Sequence, residues 1–126
     1  MQIKDKLSFK NGEEYFKKNH PQELKDIYES VKKIDIKEAL SKVSHEKTKQ
    51  SLLFSPINMN VQLKKELSKR NWKEKRIGFA DNIAAFREID GIKNKVGLEI
   101  QFGKYAFMAY DIFSKMPIFK KKNLIN

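Results

Sequence analysis

The sequence predicts a mixed α/β fold. Two observations carry this: apolar residues recur at helical spacing in the first third and again near residues 58–67 and 105–116, and the period falls to about two between Asn82 and Phe102. With 126 residues and 40% hydrophobic content, the chain has material for one domain with a modest core. The expected organisation is a single domain over 1–126, with 1–50 as a helical scaffold and 51–126 as the portion that carries the sheet.

The first third is read as helical to about Ser44. Pro21 stands where a helix can begin, and Leu24, Ile27, Tyr28 and Val31 share a face opposite Lys25, Glu29, Lys32 and Lys33. Ile36, Ala39, Leu40 and Val43 continue the helical spacing. After the polar stretch 44–50, Leu52-Leu53-Phe54 forms an apolar anchor closed by Ser55-Pro56. From Asn58 onward, Met59, Leu63 and Leu67 line one face of a helix, and Lys64, Lys65, Lys69 and Arg70 cover the other. That basic face either follows a phosphate backbone or is simply solvated. Trp72, the only tryptophan, is expected to pack where this helix ends.

Between Asn82 and Phe102 the pattern calls for two strands joined at Lys93-Asn94-Lys95-Val96. Asn tolerates positive φ, so a tight hairpin centred on Asn94 and Lys95 sets Asp90 opposite Glu99 and Glu88 opposite Gln101. Residues 105–116 return to helix, with Tyr105, Met108, Ala109, Ile112 and Met116 on one stripe and Phe107, Tyr110 and Phe113 elsewhere. A helix apolar nearly all round needs cover on more than one side, from a second subunit or from further sequence. Residues 119–126 read as the start of a strand.

Lys and Arg outnumber Asp and Glu by 27 to 16, and a net charge of +11 gives any polyanion a salt-sensitive attraction. Nucleic acid is the first partner to consider; a membrane surface and an ordinary solvated surface remain as alternatives. The absence of cysteine excludes disulfides, zinc-thiolate sites and a cysteine nucleophile. His20 and His45 lack metal-ligand spacing and are read as surface residues. No apolar run approaches the ~20 residues that span a bilayer, and the start lacks a signal peptide's apolar stretch, so a cytoplasmic protein is expected.

Along residues 96–102, alternation sends Val96, Leu98, Ile100 and Phe102 to the core and Glu99 and Gln101 to the other face. Asp90 joins them from the neighbouring strand. Two carboxylates and an amide on one patch suit a hard divalent cation, and phosphodiester hydrolysis needs charge neutralised at the phosphate and a water aimed in line. Asp90 is the expected metal ligand, Glu99 holds the metal or the water, Gln101 orients the water, and the Ile100 carbonyl is a further ligand. As a bare pattern this is weak, since an exposed hairpin can carry the same residues on its wet face.

The strand pair Glu88-Ile89-Asp90 and Leu98-Glu99-Ile100-Gln101-Phe102 resembles the core of the PD-(D/E)XK nucleases, in the variant where Gln replaces the usual Lys. That variant belongs to the BglII-like type II restriction endonucleases. Ser51-Leu52-Leu53-Phe54-Ser55-Pro56, Lys65-Glu66-Leu67, Trp72-Lys73 and Tyr105-Ala106-Phe107 are similar to that group at the same relative spacing, so the likeness covers about residues 51–113.

The resemblance implies a central sheet flanked by helices, catalysis by Asp90, Glu99 and Gln101, Mg²⁺ held by Asp90, Glu99 and Ile100, and a homodimer cutting double-stranded DNA at a palindrome with a GATC core. It also implies a cognate methyltransferase as functional partner and no membrane association. Lys75 and Lys104 stand where the group's pattern has Asn, so both are candidate DNA contacts along with Lys69 and Arg70. Relatives continue past the helix after the catalytic strand, so the chain is expected to be the amino-terminal part of such a nuclease domain. Competing readings are a structure-specific or repair nuclease of the same superfamily, and a non-catalytic basic DNA-binding fragment.

Overall fold

A computed structural model describes residues 1–43, 52–79, 82–102 and 106–126. It divides into two compact units, Met1–Glu66 and Leu67–Asn126. The first holds helices α1 (Gly12–Asn19), α2 (Pro21–Lys32) and α3 (Ile36–Ala39), the short strands β1 (Leu40–Val43) and β2 (Leu52–Phe54), and most of α4 (Pro56–Ser68). Pro21 occupies the first turn of α2, where its missing N–H costs nothing. Asp35 caps α3 by accepting from Lys37 N at 2.7 Å and Glu38 N at 3.4 Å. Gln62 of α4 fastens the same corner, bonding Asp35 N at 2.7 Å and Asp35 O at 3.1 Å.

One sequence expectation fails in this unit. Leu40 and Val43 were expected to continue a helix, but the chain leaves α3 after Ala39 and β1 pairs antiparallel with β2. Apolar residues at i and i+3 fit a helix locally, and the ladder to residues 52–54 decides otherwise. His20 is only partly exposed: its ring lies half-buried, 5.7 Å from that of Tyr15 and 5.8 Å from that of Phe16.

The second unit is built on the antiparallel sheet β3 (Lys73–Phe79), β4 (Asn82–Lys93) and β5 (Val96–Leu98), in the order β3-β4-β5. The helical stretch after it comprises α5 (Ala106–Tyr110), a π-helical turn (Asp111–Lys115) and α6 (Met116–Lys121). Mixed helix and sheet is the predicted class. Ile89, Phe119 and Ile125 form the buried centre, with Ile77, Ile92, Met116 and Leu124 packed against it. Gly97 lets β5 approach this centre: a Cβ there would stand 2.9 Å from Ile89 Cδ1 and 3.1 Å from Ile125 Cγ2.

α4 and α6 each end on an Asn in the left-handed region. Asn71 (φ 64°) follows α4 and Asn123 (φ 57°) follows α6. Trp72 N donates to Leu67 O at 3.2 Å and Leu124 N to Phe119 O at 3.1 Å, which satisfies orphan carbonyls and brings an apolar residue back onto the last turn. Trp72 and Leu67 are both buried, as expected for the helix end. The expected strand at 119–126 is absent: α6 runs to Lys121 and the Asn123 stop follows.

Candidate active site

The hairpin between β4 and β5 has the predicted turn. Asn94 (φ 47°) and Lys95 (φ 63°) both take the left-handed conformation, as a two-residue turn matched to strand twist requires. Lys95 is held there from outside: its Nζ donates to Asn123 Oδ1 at 3.1 Å and its carbonyl accepts from Asn126 N at 2.9 Å. The ladder pairs Lys93 with Val96, Ile92 with Gly97 and Gly91 with Leu98.

The next rung in that register is Asp90 beside Glu99, but the ladder stops at Leu98, short of the strand expected through residue 102. Asp90 takes over from the backbone: its Oδ2 accepts from Ile100 N at 3.0 Å. The same carboxylate that faces Glu99 thereby fixes the chain just beyond it. Glu88 does not reach Gln101; it pairs with Arg76 of β3 at 2.7 Å.

Two residues the sequence reading passed over complete the cluster. Lys115 Nζ donates to Glu99 Oε2 at 2.7 Å and to Asp111 Oδ1 at 2.8 Å, and Gln101 Nε2 donates to Asp111 Oδ2 at 2.7 Å. Both come from the π-helical turn, whose widened geometry is marked by Met116 N bonding Asp111 O. Their signal was present in the sequence: Asp111 and Lys115 are the only charged residues between Ala106 and Met116. Four residues apart, they share one helix face.

Burial pushes the Glu99 carboxyl up to about 7; Lys115 opposes the rise, and the carboxylates Asp90 and Asp111 add to it. For Lys115, burial alone would lower the ammonium, but hydrogen bonds to Asp111 and Glu99 outweigh it and raise its pKa. Glu99 Oε1 is buried without a hydrogen-bond partner.

An unpartnered carboxylate oxygen beside a second carboxylate fits a hard cation, and a dication there would offset the burial, and with it the weaker repulsion by Asp90 and Asp111, that lifts Glu99. Among the described residues no group of three or more His, Cys, Asp or Glu side chains is set to hold a metal. Asp90 and Glu99 would supply two carboxylates, hard oxygen donors of the kind a divalent cation takes.

Of the candidate DNA contacts, Lys75 is exposed on β3, paired with Ile89 one residue before Asp90. Lys69 is exposed and Arg70 half-buried, just past the end of α4 rather than on its face. Lys104, Tyr105, His45 and the polar stretch 44–50 lie outside the described residues.

The family model of restriction endonuclease BglII/BglIII matches residues 4–126. The chain belongs to the BglII/BglIII restriction endonuclease family. It is a type II site-specific deoxyribonuclease, a hydrolase whose substrate is DNA. Enzymes of this kind are generally metal-dependent. Among curated proteins none matches the chain. The family match reaches back to residue 4, beyond the stretch that carries the motif resemblance. No helix among the described residues is long and apolar enough to cross a membrane.

Proposed function

We propose that this BglII-family nuclease cuts double-stranded DNA with Mg²⁺ held by Asp90, Glu99 and the carbonyl of Ile100, while Gln101 orients the attacking water. The observation that carries this reading is the buried, unpartnered Oε1 of Glu99 next to Asp90. The cation supplies charge neutralisation at the scissile phosphate and a water acidified for attack. Asp90 and Glu99 provide the negative field that retains it. Gln101 has no useful proton affinity near neutral pH, so it acts through hydrogen bonds alone. Lys75, Lys104, Lys69 and Arg70 contact phosphates and supply affinity without base information.

The enzyme works as a cytoplasmic homodimer, with a cognate methyltransferase protecting the host's own sites. Two-fold protein symmetry on DNA requires a two-fold symmetric site, which gives each strand one active centre. The exposed Phe107, Met108, Ile112 and Phe113 support a subunit contact, since they form an apolar surface on the helix that follows the hairpin. The GATC core rests on the resemblance to BglII-like enzymes. Sequencing the ends of a complete plasmid digest tests it: a shared GATC is expected, and discrete ends without it overturn the specificity. Absence of discrete bands would point to structure-directed cutting instead.

A further inference from the structure

Gln101 can present either end of its amide to a substrate, and the two ends are opposite in function: the oxygen accepts from water, the nitrogen donates. We propose that Asp111, braced by Lys115, is a positioning residue that holds the Gln101 amide with its nitrogen turned away and its oxygen left for the attacking water. This rests on the role proposed above for Gln101.

The bonding permits one polarity. A carboxylate only accepts, so Asp111 Oδ2 at 2.7 Å from the amide must face its NH₂ group. Lys115 occupies the other carboxylate oxygen at 2.8 Å, so Asp111 cannot rotate without losing a charge-assisted bond. Asp111 is buried and Gln101 exposed, which places the fixed end of the network inside and the orienting end at the surface. The π-helical turn carries both bracing residues and is confined to Asp111–Lys115 within an otherwise α-helical run. Such single-turn π-helical insertions in α-helices are frequent at functional sites.

A polarity swap tests this on the full-length protein. In Asp111→Asn the new amide keeps its oxygen on Lys115 and turns its NH₂ toward Gln101, which must flip. Single-turnover cleavage should fall by about tenfold or more with DNA affinity kept. Gln101→Glu should also be slow, because two carboxylates then face each other. The double variant Gln101→Glu/Asp111→Asn restores one donor and one acceptor with the charge conserved, and should cut faster than either single variant. In the metal-free protein, the Gln101 side-chain amide resonance, assigned by its loss in Gln101→Leu, should move in Asp111→Asn.

A wild-type rate for Asp111→Asn, an unmoved resonance, or a double variant no faster than the faster single would overturn the proposal and leave the metal site standing. If Asp111→Asn does not fold, the double against Gln101→Glu still decides. A wild-type rate for Gln101→Leu would instead remove Gln101 from the mechanism, and the positioning with it.

Discussion

Lys115 donates to Glu99 across 2.7 Å, tying the helical stretch after the hairpin to the carboxylate at the hairpin's open end. The bond fixes one oxygen of Glu99 and leaves Oε1 buried and unpartnered. Glu99 thus presents a set geometry rather than one of several rotamers, which is how a supporting residue makes a site precise.

Removing the ammonium should therefore cost stability in a pH-dependent way. Lys115→Met leaves Glu99 and Asp111 facing each other, and breaking such a pair costs about 3 kcal/mol when the remaining charges stay ionised. At pH 6 Glu99 can take up a proton and escape part of the penalty. Urea unfolding should show a larger loss at pH 8 than at pH 6; equal losses would mean the pair carries no buried charge.

The raised Glu99 pKa, about 7, also sets the sign of two profiles. The folded protein keeps a proton that the unfolded chain releases near the ordinary carboxylate value of 4.5, so stability should decline as pH rises from there to about 7. Glu99→Gln should flatten that decline. Cutting should run the other way, rising with pH through about 7 at low Mg²⁺, with the midpoint moving down as Mg²⁺ increases, because cation and proton compete for Glu99. A rate independent of pH between 6 and 8 at low Mg²⁺ would contradict the assignment.

Gly97 should tolerate no side chain. Its missing Cβ faces Ile89 and Ile125, both buried, so neither can swing into solvent. Gly97→Ala should destabilise by roughly 1–3 kcal/mol, as overpacking does. A denaturation midpoint equal to wild type would show that the core has room the structure does not reveal.

The hairpin and the Asp90–Glu99 juxtaposition were legible because they are local: an Asn that accepts positive φ and a period of two fix both turn and register within a dozen residues. β3 was not. Its sequence Lys73-Glu74-Lys75-Arg76-Ile77-Gly78-Phe79 offers little apolar alternation, and it is a strand because β4 pairs with it. The end of α6 was misread because Phe119, Leu124 and Ile125 look strand-like until Asn123 is recognised as a helix stop. Asp111 and Lys115 were hidden by the aromatic residues around them, which drew the reading toward packing and away from the two charges. The match to the nuclease family covers the chain that these local readings divided into scaffold and sheet.

The central claim is that Asp90 and Glu99 make the catalytic metal site. Its most direct measurement is single-turnover cleavage of a cognate plasmid in Mg²⁺ by Glu99→Ala, alongside DNA binding by the same variant. Losing a ligand that stabilises transition-state charge by several kcal/mol should slow cutting on the order of a thousandfold. Binding should stay close to wild type, because phosphate contacts by Lys and Arg supply most of the affinity. Cleavage by Glu99→Ala at the wild-type rate would place the metal site elsewhere.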